Sequence, residues 1–254
     1  MTKIGETFDG HLTGYVPDMD RKFLSTPFAG NEWDKKVWDR SEWDKEADRQ
    51  IELGIDPLSR IIKAKCMPVY QDGLPSCWAQ ATAMAAKGAY AGGGQPIPQL
   101  SATCIAAKLQ NYRINGGNAY MSFPFAAEHG MPTINTWPEN QVNKSLDTPE
   151  MREEAAKFKA VEWYELKPNN AAQLVSALLA GFTVWTGYAR KGHAMCAVRY
   201  QDGKIWNLNS WNQNAPSASE WDLGWFDDRN TIWKIDVDET CFEQYGLRVV
   251  TTFA

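Results

Sequence analysis

Gln71-Asp-Gly-Leu-Pro75-Ser76-Cys77-Trp78-Ala79-Gln80 places a cysteine where a Gly/Pro turn meets an alanine-rich run, Ala79 to Ala86, of helical character. A thiol at the first turn of a helix sits among unpaired backbone N–H groups, where the macrodipole favours negative charge. Cysteine pKa falls in such places, and the thiolate is the nucleophile. The rest of the chain is therefore read for what Cys77 needs: a base, a group to orient the base, and a groove for a substrate.

The chain has 254 residues, enough for one large domain or two small ones with a real core. Apolar residues at 44% and charged residues at 22% are ordinary for a globular protein. A net charge of −5 without a basic run gives no expectation of a nucleic-acid partner. The opening residues lack the apolar core of a secretory signal. The most apolar stretch, Leu174 to Trp185, is 12 residues long, too short to span a bilayer, so no membrane partner is expected. The 5 cysteines (66, 77, 104, 196 and 241) are odd in number and form no CxxC, which disfavours a disulfide framework and a zinc site. The expectation is a reducing, intracellular setting, with neither metal nor cofactor.

Residues 1–65 are polar and differ from the rest. Glu32-Trp-Asp-Lys recurs as Glu42-Trp-Asp-Lys, with Trp38-Asp-Arg between, and Ser41 is a candidate cap for a helix ending at Leu53. Trp33, Trp38 and Trp43 do not share one helical face. They either pack on this chain's own domain or grip a protein partner, since indoles are common interface anchors. The arm does not resemble an inhibitory pro-segment.

From Cys66 the chain reads as helices first: 77–89, 102–110, 119–128, one opened by Thr148-Pro149-Glu150, and 171–180. Strands follow: 182–186, 194–200, 204–208, 231–237 and 247–252. Gln201-Asp202-Gly203 signals a hairpin. This order predicts an α+β domain over 66–254, with a helical half about 66–180 and a sheet half about 181–254.

Only three histidines are present. His11 lies in the polar arm, and His129 sits at a helix end it would complement electrostatically. His193 stands at the mouth of an apolar strand, well placed for a base. The hairpin brings its strand beside the one ending in Asn209-Ser-Trp211, so Asn209 is the candidate orienter and Trp211 a shield of that bond. The Cys77 N–H and the Gln71 side-chain amide are candidate donors to an oxyanion. Each signal alone has a plain structural explanation, from a polar turn to a core tryptophan.

Together, Gln71-x5-Cys77-Trp78, Asn115-Gly-Gly117, Gly192-His193-Ala194 and Asn209-Ser-Trp211 resemble the papain/cathepsin family of cysteine peptidases, in the family's order. The resemblance covers roughly residues 66–237. It implies a papain-like two-lobed fold, a helical half followed by an antiparallel sheet or barrel half. It also implies Cys77 as nucleophile, His193 as base and later acid, Asn209 as orienter and Gln71 as oxyanion donor. Gly116, Gly117 and Trp211 correspond to substrate-binding positions. Leu74 and Ile114 stand where the family has half-cystines, Pro75 and Asn212 replace glycines, and the stretch 212–230 is longer than usual.

Two functions follow. One is a thiol peptidase or amide hydrolase acting on a peptide or protein substrate. The other is a papain-fold structural or adaptor component of a large assembly such as a virion, reached through the arm.

Overall fold

The computed structural model describes residues 7–8, 11–16, 31–66, 70–160, 162–211, 231–239 and 243–248. The arm contributes a two-stranded hairpin, β1 (Thr7–Phe8) and β2 (His11–Leu12), a short strand β3 (Asn31–Glu32), and helices α1 (Trp43–Glu52) and α2 (Pro57–Lys63). Then come α3 (Cys77–Gly92), α4 (Ala102–Leu109), α5 (Ala119–Glu128), α6 (Pro149–Ala155), β4 (Glu162–Leu166) and α7 (Ala171–Leu179). The chain closes with β5 (Thr183–Tyr188), β6 (His193–Gln201), β7 (Lys204–Leu208), β8 (Ile232–Asp236) and β9 (Glu243–Arg248).

The alanine-rich run becomes α3, the central helix. Alanine has the best helix propensity, and its small side chain lets neighbours approach from all sides. All residues of α3 but Ala89 and Gly92 are buried. At Gly88 a Cβ would lie 2.3 Å from Thr183 Cγ2, which measures how closely α3 packs on β5. The expected caps form: Ser101 Oγ accepts from Cys104 N at 3.4 Å, and Thr148 Oγ1 from Met151 N at 3.2 Å with Pro149 at the first position. At the arm helix the cap shifts: Asp39 opens a 3-10 turn over Arg40–Glu42, and α1 follows it.

Seven strands pair in the order β3-β4-β9-β5-β6-β7-β8, all antiparallel except β3 with β4. The barrel alternative is corrected: among the described residues the sheet is open, with β3 and β8 at its edges. Besides the unexpected arm strands β1, β2 and β3, three elements depart from expectation. α2 starts on Asp56-Pro57, where Asp56 Oδ2 accepts from Ser59 N at 3.2 Å, a signal easily missed in so short a helix. β4 lies in the stretch assigned to the helical half. β9 ends at Arg248, whereas the expected strand began at Leu247; its remainder and the 212–230 segment lie outside the described residues.

The sheet carries a core on each face. One holds α3 with Trp78, Trp185, Val198 and Trp206; the other holds α7 with Val184, Met195 and Ile235. Trp33 and Trp43 are buried in the second core and Trp38 packs against it, so the arm's tryptophans serve this chain's own domain. A buried ion pair ties α2 to β6: Arg199 Nε donates to Asp56 Oδ2 at 2.9 Å and Nη2 to Oδ1 at 3.1 Å.

Candidate active site

The turn before α3 is fixed by backbone chemistry. Asp72 and Gly73 both take positive φ, 44° and 72°, and Leu74 N donates to Gln71 O at 2.8 Å. That is the type I′ geometry an Asp-Gly pair favours. It holds Gln71 a fixed distance ahead of Cys77. Gln71 is buried; its Oε1 accepts from Ser210 Oγ at 2.6 Å, and its Nε2 donates to Leu74 O at 2.6 Å. The second N–H of that amide is directed at Leu12 O, 3.4 Å away.

The same turn chemistry recurs at Asp202-Gly203, φ 50° and 72°, closing the β6–β7 hairpin. At the hairpin's open end His193 Nε2 lies 2.7 Å from Asn209 Oδ1. Asn209 Oδ1 is an acceptor, so Nε2 carries the hydrogen and the neutral ring's Nδ1 holds a lone pair. Nδ1 is buried and has no hydrogen-bond partner among the described residues. Trp211 stacks on His193 with centroids 4.2 Å apart, and Trp233 flanks the ring at 5.9 Å. The structure thus brings Gln71, His193, Asn209 and Trp211 into one place around the start of α3.

Cys77 is fully buried. Burial pushes its thiol up to about 11, against backbone N–H groups of Ala194, Gly14, Trp78 and Cys77 that favour the thiolate. The Ala194 contact sets the sulfur beside the residue that follows His193. Burial also brings His193 down to about 4; its bond to Asn209 opposes that shift, and His11 adds to it. Both shifts, each led by desolvation, favour the uncharged form of the covered group.

The arm adds to this cover: the Gly14 backbone reaches Cys77, and His11 stacks on the Trp211 that lies against His193. Residues 11–16 cross the site as an extended strand, tied by backbone bonds on both sides. Gly14 N and Tyr15 N donate to Gly192 O at 3.2 and 3.0 Å, Gly117 N donates to Gly14 O at 2.9 Å, and Val16 N donates to Gly117 O at 3.0 Å. Tyr15 and Gly117 form a parallel bridge. The arm, expected to be unlike an inhibitory pro-segment, nonetheless runs between Gly117 and Gly192. Gly14 lies so close that a Cβ would meet Pro75 O at 2.2 Å. Tyr15 is 2% exposed, edge-on to Trp185 at 5.6 Å. His11 stacks on Trp211 at 4.3 Å and 10°.

Of the two glycines matched to a substrate strand, Gly117 makes the contacts. A Cβ there would meet Trp78 Cε2 at 2.5 Å, so only glycine fits against that ring while its N–H and C=O bond the strand. Gly116 O instead accepts from Gln110 Nε2 at 3.1 Å. The sequence reading missed His11, Leu12, Gly14 and Tyr15; the one available signal was a short Thr-Gly-Tyr stretch in a polar arm, which has no periodicity to read. Among the described residues no three His, Cys, Asp or Glu side chains group as metal ligands.

No family model matches the sequence, and no curated protein matches it. Solved structures do. Xylellain, a cysteine protease from Xylella fastidiosa, matches with a TM-score of 0.66 at 14% identity over 94% of this chain and 96% of that one. Digestive procathepsin L 3 of Tenebrio molitor matches with a TM-score of 0.59 at 14% identity, over 92% and 83%. The bromelain protease from Ananas comosus matches with a TM-score of 0.57 at 14% identity, over 77% and 98%. The likeness is one of fold: the chain has the papain-like cysteine peptidase fold.

Proposed function

Taking that fold as premise, we propose that this chain is a thiol peptidase acting through Cys77, His193, Asn209 and Gln71, held latent by its own residues 11–16. The observation that carries the reading is the 2.7 Å His193 Nε2–Asn209 Oδ1 bond beside the N-terminus of α3. It fixes the tautomer whose free Nδ1 accepts the Cys77 proton. In turnover Cys77 Sγ attacks a peptide carbonyl, and the charge that develops on oxygen is met by the Gln71 amide and the Cys77 N–H. His193 then returns the proton to the leaving amine as the C–N bond breaks, and water hydrolyses the thioester.

The arm fits this scheme as an inhibitor rather than a substrate. Leu12 O stands in for the reacting carbonyl oxygen at Gln71 Nε2. His193 delivers its proton to the leaving amine, so the leaving side of a substrate lies towards His193 and Trp211 and the acyl side towards Gly117. A substrate therefore runs from Gly117 to Trp211. The arm runs the other way, His11 at Trp211 and Tyr15 at Gly117. Its amides reach the nucleophile reversed, with no leaving nitrogen before the imidazole. The raised Cys77 and lowered His193 describe the covered, unarmed pair. The arm's tryptophans face this chain's own core, so the adaptor reading gains no support from them.

The test is proteolysis of an unfolded protein substrate by the full chain, before and after the arm is displaced by substitution at Gly14, with covalent trapping by an epoxide-type thiol reagent. Turnover should rise on displacement and vanish in Cys77→Ala and His193→Ala. Persistence of turnover in Cys77→Ala refutes the assignment.

A further inference from the structure

Where α4, the end of α5 and α6 meet, the chain leaves a half-open cavity of about 180 Å³. Small residues create it. Gly130, at φ 76°, lets the chain after α5 lie against the Ala155 carbonyl, where a Cβ would collide. Cys104, Ala155 and Ala156 then stand where larger side chains would close the gap. The floor is apolar, with Phe125 and Met151 buried in it. The rim is cationic: Lys108, Arg152 and Lys159 line it against a single carboxylate, Glu128, which lies 3.7 Å from His129 Nε2. These cations keep donors to spare. Asp147 Oδ1 accepts from Lys108 Nζ at 3.1 Å and from Arg152 Nε at 2.8 Å. Two N–H groups of Lys108 and both terminal nitrogens of Arg152 are left without an acceptor among the described residues. Lys159, exposed on the same rim, forms no ion pair among the described residues. Lys108 Nζ lies 6.0 Å from the centre of the Phe125 ring, so charge and apolar floor fall within the length of one small molecule.

We infer that this cavity binds a small free acid, a carboxylate carried on one aromatic ring or on a branched alkyl group of similar size. The volume sets the body. A cavity of about 150 Å³ accepts benzene, so this one has room for a ring and little more. The rim sets the head group. The terminal nitrogens of Arg152 form a fork that matches the two oxygens of a carboxylate, and the lysines add point charges beside it. Charge sets the valence: three cations (Lys108, Arg152, Lys159) against two carboxylates (Glu128, Asp147) leave one positive charge before any on His129, the complement of a monoanion. A neutral ring would leave the donors unanswered, and an inorganic anion would leave the apolar floor wet. None of these residues belongs to the cleft or to the plug that residues 11–16 form in it. The site therefore stands whether or not the chain is a peptidase.

The experiment is calorimetric titration of the full chain with phenylacetate. It should bind with a Kd below about 1 mM, within reach of a ligand of this size. Phenylacetamide, which keeps the ring and loses the charge, should bind about five- to tenfold more weakly, and so should acetate, which keeps the charge and loses the ring. Lys159→Gln should weaken phenylacetate about two- to fivefold, the range of one exposed charge. Ala156→Phe, which fills the cavity from its exposed side, should abolish binding. Equal binding of phenylacetate and phenylacetamide overturns the assignment of an acid. Unchanged affinity in both variants places the ligand elsewhere and overturns the site, and so does the absence of binding up to about 10 mM. N-acetylphenylalanine carries the last amide of a peptide chain and should bind no more tightly than phenylacetate; tighter binding would give the site to peptide C-termini and overturn the free acid.

Discussion

Replacing Gly14 by valine should release the arm. The new Cβ would lie 2.2 Å from Pro75 O, 2.4 Å from Pro75 C and 2.8 Å from Pro75 Cα. These are backbone atoms of the turn that positions Cys77, packed against the buried start of α3, so the strand must yield instead. Overpacking of this kind costs about 1–3 kcal/mol. Taking about 2 kcal/mol, the docked-to-released ratio falls roughly thirtyfold. The docked strand covers Cys77, so its alkylation rate follows the released fraction while that fraction is small. Iodoacetamide labelling near neutral pH, read by peptide mass spectrometry, should show Cys77 modified about thirtyfold faster in the variant. Cys66, Cys104 and Cys196 are all buried and act as internal controls. An unchanged Cys77 rate refutes the plug. So does a parallel rise in all four thiols, which would report global loosening instead of release.

Three further outcomes are expected. In Cys77→Ala, His193 titrates without a thiol partner; burial keeps the covered ring down to about 4, against an ordinary 6.5. Between those values the released form carries more protons, so docking is strongest above about pH 6.5 and weakens as pH falls towards 4. Amide exchange of Tyr15 and Val16, corrected for intrinsic rate, should quicken with acid, and a flat or opposite trend counts against the assignment. Gly88→Ala should destabilise by about 1–2 kcal/mol in denaturant titration, because the clash with Thr183 outweighs alanine's helix preference; a gain in stability would show that α3 can shift off β5. Arg199→Ala should cost about 3–5 kcal/mol, since Asp56 is left charged and buried, and the loss from Arg199→Ala with Asp56→Ala should fall well short of the two single losses added.

Much of the site was legible because it hangs on punctuation. Asp72-Gly73 and Asp202-Gly203 are turn signals with one geometry each, and they fix Gln71 against Cys77 and the strand of His193 against that of Asn209. The pairing of His193 with Asn209 nevertheless depends on something a sequence does not spell. The β6–β7 ladder pairs Arg199 with Trp206, then slips by one, so that Ala197 faces Asn207 and Cys196 faces Leu208. Carried one pair further, that register opposes Met195 to Asn209, with His193 two residues along on the same face. Unbroken, the hairpin would oppose Cys196 to Asn209 and turn His193 to the other side. Val198, the extra residue, is an ordinary β-branched strand former, and nothing in its identity announces a bulge. The plug was hidden for a related reason: a strand held by its backbone to Gly117 and Gly192 needs no side-chain pattern.

The parallel pairing of β3 with β4 anchors the chain again at Asn31, with only 14 residues between it and the end of the plug at Val16. A released plug therefore stays on a short leash, at a local concentration on the order of millimolar whatever the concentration of the protein. Dilution does not open the cleft, and a free peptide of the same sequence competes only near that concentration. Opening is reversible for as long as the leash is whole. A single cut between Val16 and Asn31 would make it permanent, turning an equilibrium into a one-way commitment.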